Sequence, residues 1–146
     1  MTLTDEERNA LVEYRIERAY ETWEETRTII AQRLWYAAAN RMYYTCYYLT
    51  SALLISHKID ANSHTGVIRM LGMHFVSKGL LSNDMGHFYS RLFEMRQTGD
   101  YDDWIRLDET DILPLSEQIE LYFREVIPLI KRNAILSGKK KLQENL

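Results

Sequence analysis

The stretch LWYAAANRMYYTCYYLTSALLISHK, residues 34–58, decides how the rest of the chain reads. It holds no glycine and no proline, and apolar or aromatic side chains cover most faces of the helix it predicts. Such a helix has to be wrapped by others. The expectation is an all-α, up-and-down antiparallel helical bundle of about five helices, with residues 34–58 at its centre. Six glycines and two prolines in 146 residues agree with this, being few for a strand-and-turn protein.

Working outward, Thr4 and Glu7 have the spacing of a capping box, and Asp5, Glu6 and Glu7 suit the positive end of a helix dipole. Val12, Ile16, Ala19, Trp23 and Ile30 then predict one amphipathic stripe to about Ala31. Beyond the central helix, a break at residues 59–63 precedes a third helix, capped by Ser63 and ending at Lys78-Gly79. A fourth helix is expected from Asn83, as its cap, to Gly99, with Met85, Phe88, Leu92 and Met95 on one face. A fifth starts at Thr110. Its Ile112, Leu115, Ile119, Tyr122, Val126 and Leu129 follow a seven-residue repeat. Pro114 lies early enough to be tolerated, and Pro128 predicts a kink. The bundle is expected to fill residues 1–136, followed by a basic flexible tail, 137–146. The connection 99–109 is acidic yet carries Tyr101, Trp104, Ile105 and Leu107, so a site or an interface is expected there.

Several function classes lack residue support. Cys46 is the one cysteine, which excludes a disulfide framework and Cys-based zinc patterns. The uncharged run 42–56 is too short and too rich in tyrosine to span a bilayer, and the acidic N-terminus has no apolar signal core. A soluble, cytoplasmic protein without membrane contact is expected. His57, His64, His74 and His87 never pair at helical spacing, so no metal site is expected, and no cofactor. There is no nucleophile elbow and no glycine-rich phosphate loop.

Charge is uneven. The net value is −3, but residues 31–99 hold seven bases against three acids, while residues 100–130 hold nine acids against two bases. Solvated helix faces explain this; so does a local basic surface that meets phosphates. Tyr43, Tyr44, Tyr47 and Tyr48 make two adjacent ridges at i,i+4 spacing, read as rings packed between helices in preference to a base-stacking platform. The end of the fourth helix is the leading candidate site. Tyr89, Phe93 and Arg96 fall at i, i+4 and i+7, which brings a guanidinium beside an aromatic face and suits planar phosphate recognition. Arg96 can equally serve the helix dipole, or lock the loop through Asp100 or Asp102.

These residues carry a family resemblance. Five segments in register from about Tyr14 to Val126 resemble the HEPN domain, above all its small stand-alone members of bacteria and archaea. They are residues 38–44, 52–54, 63–68, 75–81 and 92–101. The resemblance implies an all-helical bundle that dimerises and belongs to RNA processing, toxin–antitoxin or antiphage systems, often beside a minimal nucleotidyltransferase. Active members are metal-independent ribonucleases whose arginine is followed, after four to six residues, by a histidine. Here Arg96 and Gln97 match the arginine and its polar neighbour, but residues 101–103 are Tyr101, Asp102 and Asp103. His87, nine residues upstream of Arg96, falls on the opposite face of the same helix.

A tyrosine with pKa near 10 or an aspartate near 4 is a poor replacement for histidine as a proton carrier. The first expectation is therefore a non-catalytic or weakly active HEPN homodimer in a toxin–antitoxin-type module. It binds a minimal nucleotidyltransferase or RNA through Arg96 and Gln97, with Tyr89, Arg41 and Asn40, and Tyr101 is a possible acceptor of a nucleotide from that transferase. The alternatives are a metal-independent ribonuclease toxin using Arg96 with Tyr101 or Asp100, and a nucleotide-binding bundle lined by the tyrosines.

Overall fold

The computed structural model describes residues 2–101 and 103–130. The expected domain limit at 136, the tail 137–146 and the candidate loop partner Asp102 lie outside them. Six α-helices follow one another among the described residues: α1 Asp5–Ala31, α2 Trp35–Ser56, α3 His64–Leu71, α4 Asn83–Tyr101, α5 Glu109–Ser116 and α6 Ile119–Val126. They form an all-α up-and-down bundle, as residues 34–58 require. Among the described residues no helix is long and apolar enough to cross a membrane.

α2 is the centre. Its Ala38, Met42, Tyr43, Cys46, Leu49 and Leu53 are all fully buried. α1 packs along it, joined by a turn in which Arg33 takes a left-handed φ of 61°. The Thr4–Glu7 capping box forms, with both reciprocal bonds in place. The stripe expected on α1 is corrected at its C-terminal half. Thr22 and Thr26 enter the seam, while Trp23 and Ile30 are only half-buried. Thr26 is tolerated there because it returns its proton to the preceding turn, its Oγ1 donating to Thr22 O at 2.6 Å, whereas Thr22 Oγ1 is buried with no hydrogen-bond partner among the described residues.

Ser63 caps α3 by accepting from Gly66 N. The segment expected to run as helix to Lys78 widens into a π-helical turn over Gly72–Val76, closed by Ser77 N donating to Gly72 O. Gly79 then ends it at φ 73°. The cap of α4 is Ser82, not Asn83, because Ser82 Oγ accepts from Met85 N. Glu125 on α6 accepts from both the amide and the hydroxyl of Ser82, which fixes where α4 starts. At its other end α4 passes through Gly99 to Tyr101. A Cβ on Gly99 would lie 3.1 Å from Leu107 Cδ1, so this glycine serves close approach rather than termination.

The expected fifth helix is two helices. Gln118 N donates to Leu115 O, a tightened i→i−3 bond, and the chain re-enters the helix at Ile119. Ile112, Leu115, Ile119, Tyr122 and Val126 nevertheless all remain buried, so the seam survives the break. Pro128 does not kink a continuing helix. It lies in a short 3₁₀ turn, Ile127–Leu129, after which Ile130 is extended.

Candidate functional site

The site grows from the outer surface of α2. The spacing of Tyr43, Tyr44, Tyr47 and Tyr48 sends their rings towards α3, α4 and α1. Tyr43 is fully buried; the other three are half-buried. Arginines from three helices cover this ridge. From α1, the Cζ of Arg18 lies 5.0 Å and that of Arg15 5.9 Å from the Tyr48 ring centroid. Within α2, Arg41 lies 5.0 Å from Tyr44. From α4, Arg96 lies 5.5 Å from Tyr43 and 5.3 Å from Tyr44. Each ring face attracts a cation electrostatically, and each also limits where the guanidinium can swing.

Arg96 is therefore not a loose side chain at a helix end. Only 13% of it is exposed. Its Nε lies 3.3 Å from Asp100 Oδ2 in an i,i+4 ion pair, but off hydrogen-bond alignment, so the Nε proton is buried without an acceptor. Held over two ring faces with one edge beside Asp100, the guanidinium is suited to a bidentate contact with an oxyanion such as a phosphate.

His64, the first residue of α3, completes the cluster. Its Nδ1 lies 2.6 Å from Tyr43 Oη. Its ring stands 5.0, 5.5 and 6.0 Å from the centroids of Tyr47, Tyr43 and Tyr44, and lies stacked at 6.4 Å from Phe93. Burial pushes its pKa below the usual histidine value, and the nearby Arg96 charge pushes it the same way. Burial also raises Tyr43 to about 12, so the hydroxyl facing His64 stays protonated. Behind Tyr43, Tyr89 Oη donates to Tyr43 Oη at 3.5 Å.

The structure sorts the expected site residues. It brings together Arg96, Asp100 and Arg41, and Asn40 Oδ1 accepts from Arg41 Nε at 3.0 Å. Gln97 is exposed beside them. Tyr89 is a correction: it is fully buried and stacks on Tyr122, so it supports the site from inside and touches nothing outside. The aromatic face beneath Arg96 comes from α2, not from Tyr89 and Phe93. Tyr101 is 70% exposed and, five residues on from Arg96, stands about 140° round the helix. Sequence reasoning missed His64, Arg15 and Arg18. No spacing along one helix could have found them, because they arrive from other elements.

Comparison with known proteins now bears on this geometry. The sequence model of the HEPN domain matches residues 12–125. A Thermotoga maritima protein named "UPF0332 protein" is 30% identical over 125 residues, covering 86% of this chain and 95% of its own. A Methanocaldococcus jannaschii protein that carries the name "Putative toxin" is 24% identical over 124 residues, covering 85% and 84%. A second protein of that organism and name is 29% identical over 86 residues, covering 59% and 64%. The match spans α2, α3 and α4, and with them Arg41, His64 and Arg96: the chain belongs to the HEPN domain family.

Proposed function

We propose that this chain is the HEPN component of a toxin–antitoxin-type module and binds single-stranded RNA over the tyrosine ridge, with a phosphate seated at Arg96. One observation carries the reading: Arg15, Arg18, Arg41 and Arg96, from three helices, converge on the rings of Tyr43, Tyr44 and Tyr48 in a protein of net charge −3. Cations that track a backbone beside half-exposed rings are what single-stranded nucleic acid needs. Two relatives that carry the name "Putative toxin" support the biological setting.

Fluorescence anisotropy of a labelled RNA oligonucleotide tests it. Binding is expected to weaken with salt at a log–log slope of about −0.7 per phosphate contacted. Arg96→Ala is expected to cost at least about tenfold in Kd, since a charge-assisted bidentate contact is lost. Binding that ignores both salt and the substitution would refute the reading.

A second surface favours a protein partner. Trp104 is 99% exposed and is flanked by the exposed side chains of Tyr101 and Ile105. We assign this edge to self-association as a homodimer, or to a minimal nucleotidyltransferase, for which exposed Tyr101 is a reachable acceptor of a nucleotide. Intact-mass measurement after co-expression with a neighbouring transferase tests the last point; an unmodified chain removes it.

A further inference from the structure

The cluster at Arg96 holds more donors and more positive charge than one internal phosphate of a strand can use. Asp100 lies against Nε of Arg96, and the two terminal nitrogens of the guanidinium have no hydrogen-bond partner among the described residues. Arg41 stands over the same Tyr44 ring, 5.0 Å from its centroid against 5.3 Å for Arg96. Of these two arginines only Arg96 is paired with a carboxylate among the described residues; Nε of Arg41 donates to the neutral Asn40.

His64 adds a further donor, and the hydrogen bonds behind it decide which nitrogen carries the proton. Tyr89 Oη donates to Tyr43 Oη, so the Tyr43 proton goes to His64 Nδ1. Nδ1 is therefore an acceptor, and the neutral imidazole has its own proton on Nε2. That N–H has no partner among the described residues, and the residue is half-exposed. Burial and the charge of Arg96 both favour the neutral ring. Tyr43 and Tyr44, the rings beneath Arg96, also flank His64, so its N–H and the guanidinium share one aromatic floor.

We propose that this cluster seats a terminal phosphate, a phosphate monoester, in preference to an internal phosphodiester, so that the chain takes hold of RNA by a phosphorylated end. The inference rests on the RNA reading above. A diester has two free oxygens and one negative charge, which one bidentate guanidinium satisfies. A monoester has three free oxygens and a charge of about −1.5 to −2 at pH 7. Two of its oxygens suit Arg96, the third accepts from His64 Nε2, and the added charge meets Arg41. Tyr43 is a positioning residue: by donating to Nδ1 it holds His64 as a donor on its open side.

The test uses the full chain and one short single-stranded RNA in three forms: hydroxyl at both ends, phosphate at the 5′ end, and phosphate at the 3′ end. Anisotropy is read in EDTA with an internal label. Wild type is expected to bind one phosphorylated form about tenfold or more tighter than the hydroxyl form, the gain of a charge-assisted hydrogen bond, and the form preferred names the end. His64→Phe is expected to bring the two within about twofold while binding the hydroxyl form as wild type does. Tyr43→Phe leaves Nδ1 without its donor and is expected to lower the preference as well, without loss of binding to the hydroxyl form, which a merely structural role would not spare. Nitrogen-detected spectra of wild type are expected to show His64 protonated on Nε2.

Equal binding of all three RNAs by wild type overturns the inference and leaves the RNA-binding function standing. So does an undiminished preference in His64→Phe, or a His64 protonated on Nδ1. A nucleoside monophosphate that binds as tightly as the phosphorylated RNA would assign the cluster to a free nucleotide and also overturn it. Absence of binding to any of the RNAs overturns both readings.

Discussion

His64 and Arg96 show how far one residue's environment departs from its sequence neighbourhood. Arg96 is legible from spacing alone, as a cation in the last turns of a helix near aromatics. His64 is not, because its neighbours Ser63 and Thr65 say only that a helix starts there; its chemistry comes from Tyr43 and Arg96, which folding brings to it. A pH dependence follows. The folded pKa of His64 lies below its ordinary value near 6.5, so the unfolded chain binds the proton more readily. Its contribution to stability is present above about pH 6.5 and is lost as pH falls through the folded pKa. Thermal melts from pH 8 to pH 5 are expected to show a fall that His64→Gln partly flattens. Equal slopes in the two proteins would contradict the assignment. The effect is modest, since the ring is half-exposed and solvent screens it.

At the scale of elements, the caps of α1 and α3 and the seam of α5 and α6 were readable, and the cap of α4, the C-terminal half of the α1 stripe and the irregular turns were not. Thr4, Ser63 and the repeat from Ile112 to Val126 behave as their spacing predicts, because each is decided locally. The start of α4, the π turn at Gly72–Val76 and the break at Gln118 depend on what packs against them. Gly86 illustrates this. It sits in the first turns of α4 against the π turn, and a Cβ there would lie 2.8 Å from Val76 Cγ2. On propensity alone, Gly86→Ala should stabilise a helix by about 1 kcal/mol. Packing reverses the sign: overpacking of this kind costs about 1–3 kcal/mol, so a net loss is expected in urea unfolding. Val76→Ala in the same chain removes the clashing methyls, and the double variant is expected to recover most of what Gly86→Ala loses. Additive losses would show that the contact is not the cause.

At the scale of the molecule, the arginine cluster and the exposed apolar edge are built from different segments of the chain. Around α2 the arginines and His64 form the proposed RNA surface, while the connection from α4 to α5 carries the acids and the exposed Trp104. Sequence composition showed that this connection was unusual, but not that it is tied to α2. Tyr36 Oη donates to Ile105 O at 3.0 Å and accepts from Leu107 N at 3.2 Å, so α2 fixes the loop from its first turn. Trp104 is thereby displayed at a left-handed φ of 72°, a conformation costly for a bulky side chain, with almost all its surface in water. Both costs are relieved together by Trp104→Gly, which suits the backbone and removes the exposed ring. Folding and association should then separate. The variant is expected to melt at or above the wild-type temperature when both are monomeric, while light scattering at raised concentration shows the wild-type dimer and a variant that stays monomeric. A variant that still dimerises would place the interface elsewhere. A variant that melts markedly lower would mean that Trp104 packs within its own chain, and the assignment of this edge to a partner would fall.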